Sequence, residues 1–354
     1  MTPVTPAPAP VDLLVDWELA ARTAAMIGRP GPQLPAEQAA QVVSQLRAAA
    51  VATGHVAAVS LLQAAPGVGV LVVDRAGWAR ANSSAFRGML APVVAEAFER
   101  RGKLPAAGLS AVGSRVTGAE VGSLLGFLSS RVLGQFDPFA EDGGRLLLVA
   151  PNVVQVEQQL EVAPADFRLW VCLHEETHRV QFTAVPWLRR HLIERTTALG
   201  ADLVPTPQDL AARLGQIARG LPDAFRNGAG LAEIFATPEQ RAAIAQITAT
   251  MSLLEGHADV VMDEVGPAVV PTVATIRERF DTRRRSAGGL DRLLRRMMGL
   301  DAKMRQYRDG ASFVRGVQEK VGVDGFNAVW TAPQTLPTPQ EIAEPGLWVT
   351  RVHG

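Results

Sequence analysis

The stretch Leu173-His174-Glu175-Glu176-Thr177-His178 lies within a longer run, Pro164 to Phe182, whose pattern reads as one helix. Pro164 stands where a helix start tolerates proline, Asp166 falls in the first turn, and Pro186 ends the pattern. At 3.6 residues per turn, positions 174 and 178 point about 40° apart around the axis, so both imidazoles can reach one ion. Glu175 projects beside them, where a carboxylate can take a proton from a metal-activated water. With 6 His in 354 residues, chance occurrence of this pattern is roughly 0.005 per chain. Glu176 and Arg179 depart from the usual composition of such helices, which carry uncharged residues when tightly buried.

Neutral imidazole combined with carboxylate selects zinc at tetrahedral geometry, and such a site needs a third protein ligand. A continuation with Gly at 181 and His at 184 fails, because Gln181 and Ala184 stand there. A glutamate near 197 or 198 fails as well, with Thr197 and Ala198 in those places, although His191 and Glu194 remain nearby. A better source is Leu254-Glu255-Gly256-His257-Ala258-Asp259. It lies on a helix opened by Thr237-Pro238-Glu239, a good start signal, and running to about Glu264. Glu255 and Asp259 share a face: the first is expected as the third ligand, the second as acceptor of a ligating histidine's free N–H. Gly256 beside them would let a second helix approach. His257 lies about 200° from Glu255 around the helix and is expected to serve otherwise.

The rest of the chain frames this site. One cysteine, Cys172, excludes a disulfide framework and any thiolate-rich zinc or iron–sulfur centre, and it reads as a small buried apolar group. The 35 basic and 35 acidic side chains cancel, so no global charge attracts nucleic acid or membrane. Residues 1–10 lack the basic start and apolar stretch of a secretory signal; 1–11 are expected to form a disordered tail and the protein to be cytoplasmic. The uncharged stretch 48–73 imitates a membrane span but is interrupted by Gly54, His55, Gln63 and Pro66-Gly67.

Aromatics at 5%, against abundant Ala and Leu, favour helix over strand. The expected fold is mainly α with a small β element (α+β), as a single domain over 12–354. Helices are expected over 35–65, 86–100, 117–133, 164–182, 238–264 and 276–308. Strands are expected over 67–73 and 145–150, and Leu146 to Ala150 reads equally as an edge strand on which an extended substrate could align and as a plain buried strand. Gly118, Gly122 and Gly126 form a small-residue stripe suited to helix packing. The segment Trp78 to Asn82 is expected to pack or cap an element. From about 332, prolines at 333, 337, 339 and 345 suggest an extended surface arm.

With its His-Glu-x-x-His helix followed downstream by Glu255-x-x-x-Asp259, the chain resembles the gluzincin pattern of zinc metallopeptidases. More specifically it resembles a family of zincin-like hydrolases, some of whose members are labelled as associated with deazaflavin-coenzyme biosynthesis. The segments that carry the resemblance are VVDRAGWARAN (72–82), GAEVGSLLGFLSSRVLGQFD (118–137), LHEETHRVQF (173–182) and LLEGHADVVMD (253–263). QYRDGASFV (306–314) and LWVTRV (347–352) fit it too. The resemblance implies a mostly helical, zincin-like fold and metal-dependent hydrolysis, with zinc as the expected ion and a peptide or small amide or ester as the expected class of substrate. In that reaction Glu175 would be the general base, and a donor is needed for the oxyanion. Tyr307, the only tyrosine, is the candidate donor, with His257 as the alternative.

A different class of function follows from residues 277–308, where 11 basic residues face Glu278, Asp281, Asp291 and Asp301. A protein that used zinc only as a clamp could bind nucleic acid or an acidic partner there. Only Phe280 and Tyr307 could stack on bases, so nucleic acid is not the expected partner. Nothing in the sequence sets an oligomeric state.

Overall fold

The computed structural model describes residues 9–51, 53–63, 65, 69–101, 107–140, 143–203, 237–285 and 300–354. In chain order the helices are α1 (Trp17–Ile27), α2 (Ala36–Ala49), α3 (Thr53–Ser60), α4 (Arg75–Arg101), α5 (Ala107–Ser129), α6 (Ala150–Leu160), α7 (Pro164–Ala184) and α8 (Pro186–Leu203). They continue with α9 (Pro238–Val265), α10 (Val273–Arg285), α11 (Leu300–Phe326), α12 (Pro339–Ala343) and α13 (Pro345–His353). Three short strands, β1 (Gly69–Val73), β2 (Gly134–Asp137) and β3 (Arg145–Val149), complete a mainly α fold with a small β element. The chain divides into two units, 1–51 with 66–175, and 52–65 with 176–354; the division falls inside α7, after Glu175.

In the first unit the strand order is β1-β3-β2, with β1 parallel and β2 antiparallel to β3. Of the two readings of 146–150 the buried strand holds, and the edge strand does not: β3 is central. Leu146, Leu147, Leu148 and Val149 are all fully buried, as a strand covered on both faces requires. The sequence run is continuously apolar, and an apolar run cannot reveal how many neighbours a strand has. β2 was not foreseen, since four residues with Gly, Gln and Asp carry little strand signal.

Around this sheet the glycine stripe of α5 does pack a helix. A methyl on Gly122 would lie 2.4 Å from the Ala20 carbonyl oxygen of α1. Trp78, buried on α4, donates its indole N–H to Gln135 of β2 at 2.8 Å, and Gln135 donates to Asn82 at 3.0 Å. The segment 78–82 thus fastens β2. Arg75 is buried with three neutral acceptors, Asn152 Oδ1, Gln155 Oε1 and the Arg29 carbonyl; its loss of solvation lowers its pKa. Arg168 of α7 donates two hydrogen bonds to Glu157 of α6, a buried pair whose charges cancel.

The second unit is helical. Thr237 accepts from the Gln240 N–H while the Gln240 side chain accepts from the Thr237 N–H, so the expected start of α9 is a reciprocal capping box. Its core gathers Leu188 of α8, Leu253 of α9, Phe313, Val314, Val317 and Phe326 of α11, and Trp348 of α13. α11 is interrupted at Gly322, where φ is +72°.

Two expectations about elements are corrected. The single helix over 35–65 is two, α2 and α3, and among the described residues 36–60 is the one stretch long and apolar enough to cross a membrane. The segment after 332 is not an extended arm: Thr338 caps α12, and Leu336, Ile342 and Trp348 are buried in the core of this unit. Pro333, Pro339 and Pro345 start helical turns rather than prevent them, each standing in a first turn, and Pro337 lies between two of these turns.

Candidate metal centre

α7 is helical because its residues favour helix between two proline boundaries, and its apolar positions Phe167, Trp170, Val171, Leu173 and Val180 are buried. Cys172 is fully buried with its thiol 3.9 Å from the Leu46 carbonyl, a packing role. One turn apart on α7, His174 and His178 both stay partly accessible. His178 Nε2 lies 3.5 Å from Glu255 Oε2 of α9. One ligand atom each from His174, His178 and Glu255 lie within 4.8 Å of one another, and among the described residues this is the group able to hold a metal ion. Zinc with bonds of about 2.0–2.1 Å sets tetrahedral donors roughly 3.3 Å apart, so these two nitrogens and one carboxylate fit it after a small contraction. His191 and Glu194 are not in the group.

Glu175 is buried, and its Oε2 accepts the Phe136 N–H of β2 at 3.2 Å. A methyl on Gly134 would meet the Glu175 Cγ at 2.6 Å, so the glycine makes room for this side chain. β2 therefore both holds the carboxylate and leaves it space. Neighbouring Glu176 is also buried, but Arg179 donates to it at 2.9 Å and to the Ala65 carbonyl at 3.2 Å. The two charges that seemed out of place on a buried metal helix neutralise each other.

Asp259 does not accept from a ligating histidine. Its carboxylate takes Arg277 Nη1 at 3.2 Å, and Arg277 also donates to Asp263 at 2.6 Å. On the described portion of the basic segment, Arg277 is thus committed internally. Residues 286–299 and the side chains of 284–285 and 300–308, Tyr307 among them, lie outside the described residues.

The residue behind His178 is Gln181, three positions later on the same helix. Its Oε1 lies 3.0 Å from His178 Nδ1, and its Nε2 lies 2.9 Å from both the Leu254 carbonyl oxygen and His257 Nδ1. His257 is fully buried, stacked 5.4 Å from Phe326 and set edge-on 5.3 Å from Trp330. Burial, with His178 nearby, pushes its pKa down to about 3, so it is neutral. It faces Gln181 and is not placed as an oxyanion donor. Sequence reasoning noticed Gln181 only as a residue that is not glycine. An amide three residues after a candidate ligand was the available signal.

A model of the zincin-like metallopeptidase family matches residues 15–349. Among solved structures, one from Chloroflexus aurantiacus described as "a putative hydrolase with a novel fold" is 32% identical and superposes with a TM-score of 0.67. The similarity covers 96% of this chain and 99% of that one. No curated protein matches.

Proposed function

Because this chain belongs to the zincin-like metallopeptidase family, we propose that it is a zinc-dependent hydrolase with Glu175 as general base and a peptide or small amide or ester as substrate. The observation that carries the reading is the convergence of His174, His178 and Glu255 on one point, with Glu175 adjacent in sequence on the same helix. These three residues would hold the ion, which when bound polarises a carbonyl and acidifies a water molecule. Glu175, steadied by the Phe136 N–H, receives the proton of the attacking water and returns it to the leaving group. The cytoplasm is the proposed location, and neither nucleic acid nor membrane is proposed as a partner.

The test is elemental analysis of zinc-replete protein combined with turnover on a panel of peptides, amides and esters. About one zinc per chain is expected, lost in His178→Ala. Glu175→Gln should retain zinc while hydrolysis falls roughly 10²–10⁴-fold. Wild-type protein without zinc, or Glu175→Gln hydrolysing at the wild-type rate, would overturn the proposal.

A further inference from the structure

Every polar atom of the Gln181 amide has a defined partner, and one of those partners admits a single orientation. The Leu254 carbonyl only accepts, so the atom 2.9 Å from it must be the amide nitrogen. The amide oxygen then faces His178 Nδ1, which must carry its proton in order to donate. The second amide N–H points at His257 Nδ1, which must accept, and the proton of that neutral ring resides on Nε2. That Nε2 is buried with no hydrogen-bond partner among the described residues, in a cage that includes Phe326 and Trp330.

We propose that Gln181, oriented by the Leu254 carbonyl and by His257, is a positioning residue that holds His178 in the Nδ1–H tautomer and so turns the Nε2 lone pair toward Glu255. The inference deepens the zinc-site reading and rests on it for its meaning, although the tautomers can be measured without metal. It explains three facts together. A glutamine is fully buried beside a candidate ligand, a histidine is enclosed by rings with one nitrogen orphaned, and the nitrogen 3.5 Å from Glu255 is His178 Nε2. An isolated imidazole prefers the opposite tautomer only weakly, so one well-placed acceptor suffices to reverse it. Leu254 directly precedes Glu255, so one turn of α9 supplies both a ligand and the anchor that orients its partner on α7. A carboxylate usually fills this role behind a ligating histidine; here Asp259, the obvious carboxylate, is committed to Arg277.

Long-range ¹H–¹⁵N spectra of metal-free protein labelled at histidine nitrogen provide the first test. Wild type should show His178 protonated at Nδ1 and His257 at Nε2. In Gln181→Leu, His178 should shift to Nε2–H or a mixture, and competitive chelation should read zinc binding about 10–100-fold weaker. Gln181→Glu keeps an acceptor for His178 while placing a buried carboxylate against the Leu254 carbonyl. It should lower the unfolding midpoint more than Gln181→Leu yet bind zinc more tightly than Gln181→Leu. A purely structural glutamine predicts one order for both readouts. His178 protonated at Nε2 in wild type overturns the inference, as does zinc affinity in folded Gln181→Leu within about threefold of wild type. If position 181 tolerates no change, the wild-type tautomers alone decide. Wild-type protein that shows these tautomers but binds no zinc would instead refute the zinc site.

Discussion

Gly256 and Gly310 meet backbone to backbone where α9 crosses α11. A methyl on Gly256 would lie 2.1 Å from the Gly310 carbonyl carbon, and one on Gly310 would lie 1.9 Å from the Ser252 carbonyl oxygen. The candidate ligand Glu255 is the residue next to this crossing. No rotamer change relieves such a clash, because backbone is struck on both sides, so the helices would have to separate.

Gly256→Ala should therefore destabilise the protein by about 1–3 kcal/mol or more and weaken zinc binding. Gly88 on α4, where an added methyl meets nothing within 4 Å, supplies the control. There the same substitution should stabilise by about 0.5–1 kcal/mol through helix propensity. Thermal or denaturant unfolding of both variants, with a zinc titration, checks the pair.

Glu255→Gln should reduce zinc occupancy strongly, whereas Asp259→Asn should leave it close to one per chain. Asp259 serves Arg277, so its loss should appear as a stability decrease of about 1 kcal/mol. Equal loss of metal in both variants would show that Asp259 acts on the site after all.

Gly134→Ala should displace Glu175, since the new methyl would meet its Cγ at 2.6 Å. Zinc content should stay near wild type while turnover falls at least about tenfold, the signature of a misplaced base with its ligands intact. Unchanged turnover would mean that Glu175 moves aside without consequence.

Arg351 donates two hydrogen bonds to buried Glu341, and Glu341 also accepts the Thr338 N–H at the start of α12. Burial alone would raise the Glu341 pKa, but Arg351 and Thr338 outweigh it and hold the carboxyl below its ordinary value of 4.5. The native state therefore binds this proton less readily than the unfolded chain does. The resulting stability is fully present above about pH 4.5 and is lost as pH falls through the lower native value. Glu341→Gln should cost about 2 kcal/mol at pH 7, and the difference from wild type should shrink below pH 4.5 in denaturant titrations.

Much of the local structure was legible because its causes are local. Thr237 and Gln240 cap one another within four residues, and Pro164 and Pro186 bracket α7 wherever that helix is packed. β2 and the helices after 332 were less legible. Gly134 to Asp137 is a strand because β3 offers it a partner, and the prolines after 332 lie in a segment whose apolar residues reach Phe313 and Val317.

The sequence by itself determined that His174 and His178 share a face with Glu175 beside them, because helical periodicity needs no knowledge of neighbours. It also limited any zinc site to imidazole and carboxylate by supplying a single cysteine, now buried against the Leu46 carbonyl. Only the tertiary structure decided that Glu255 comes to His178, that Asp259 goes to Arg277, that β3 is central, and that Gln181 stands between His178 and His257. These are pairings across up to 77 residues of chain (255 − 178), selected by which buried donors and acceptors find partners. No spacing along the sequence encodes that choice.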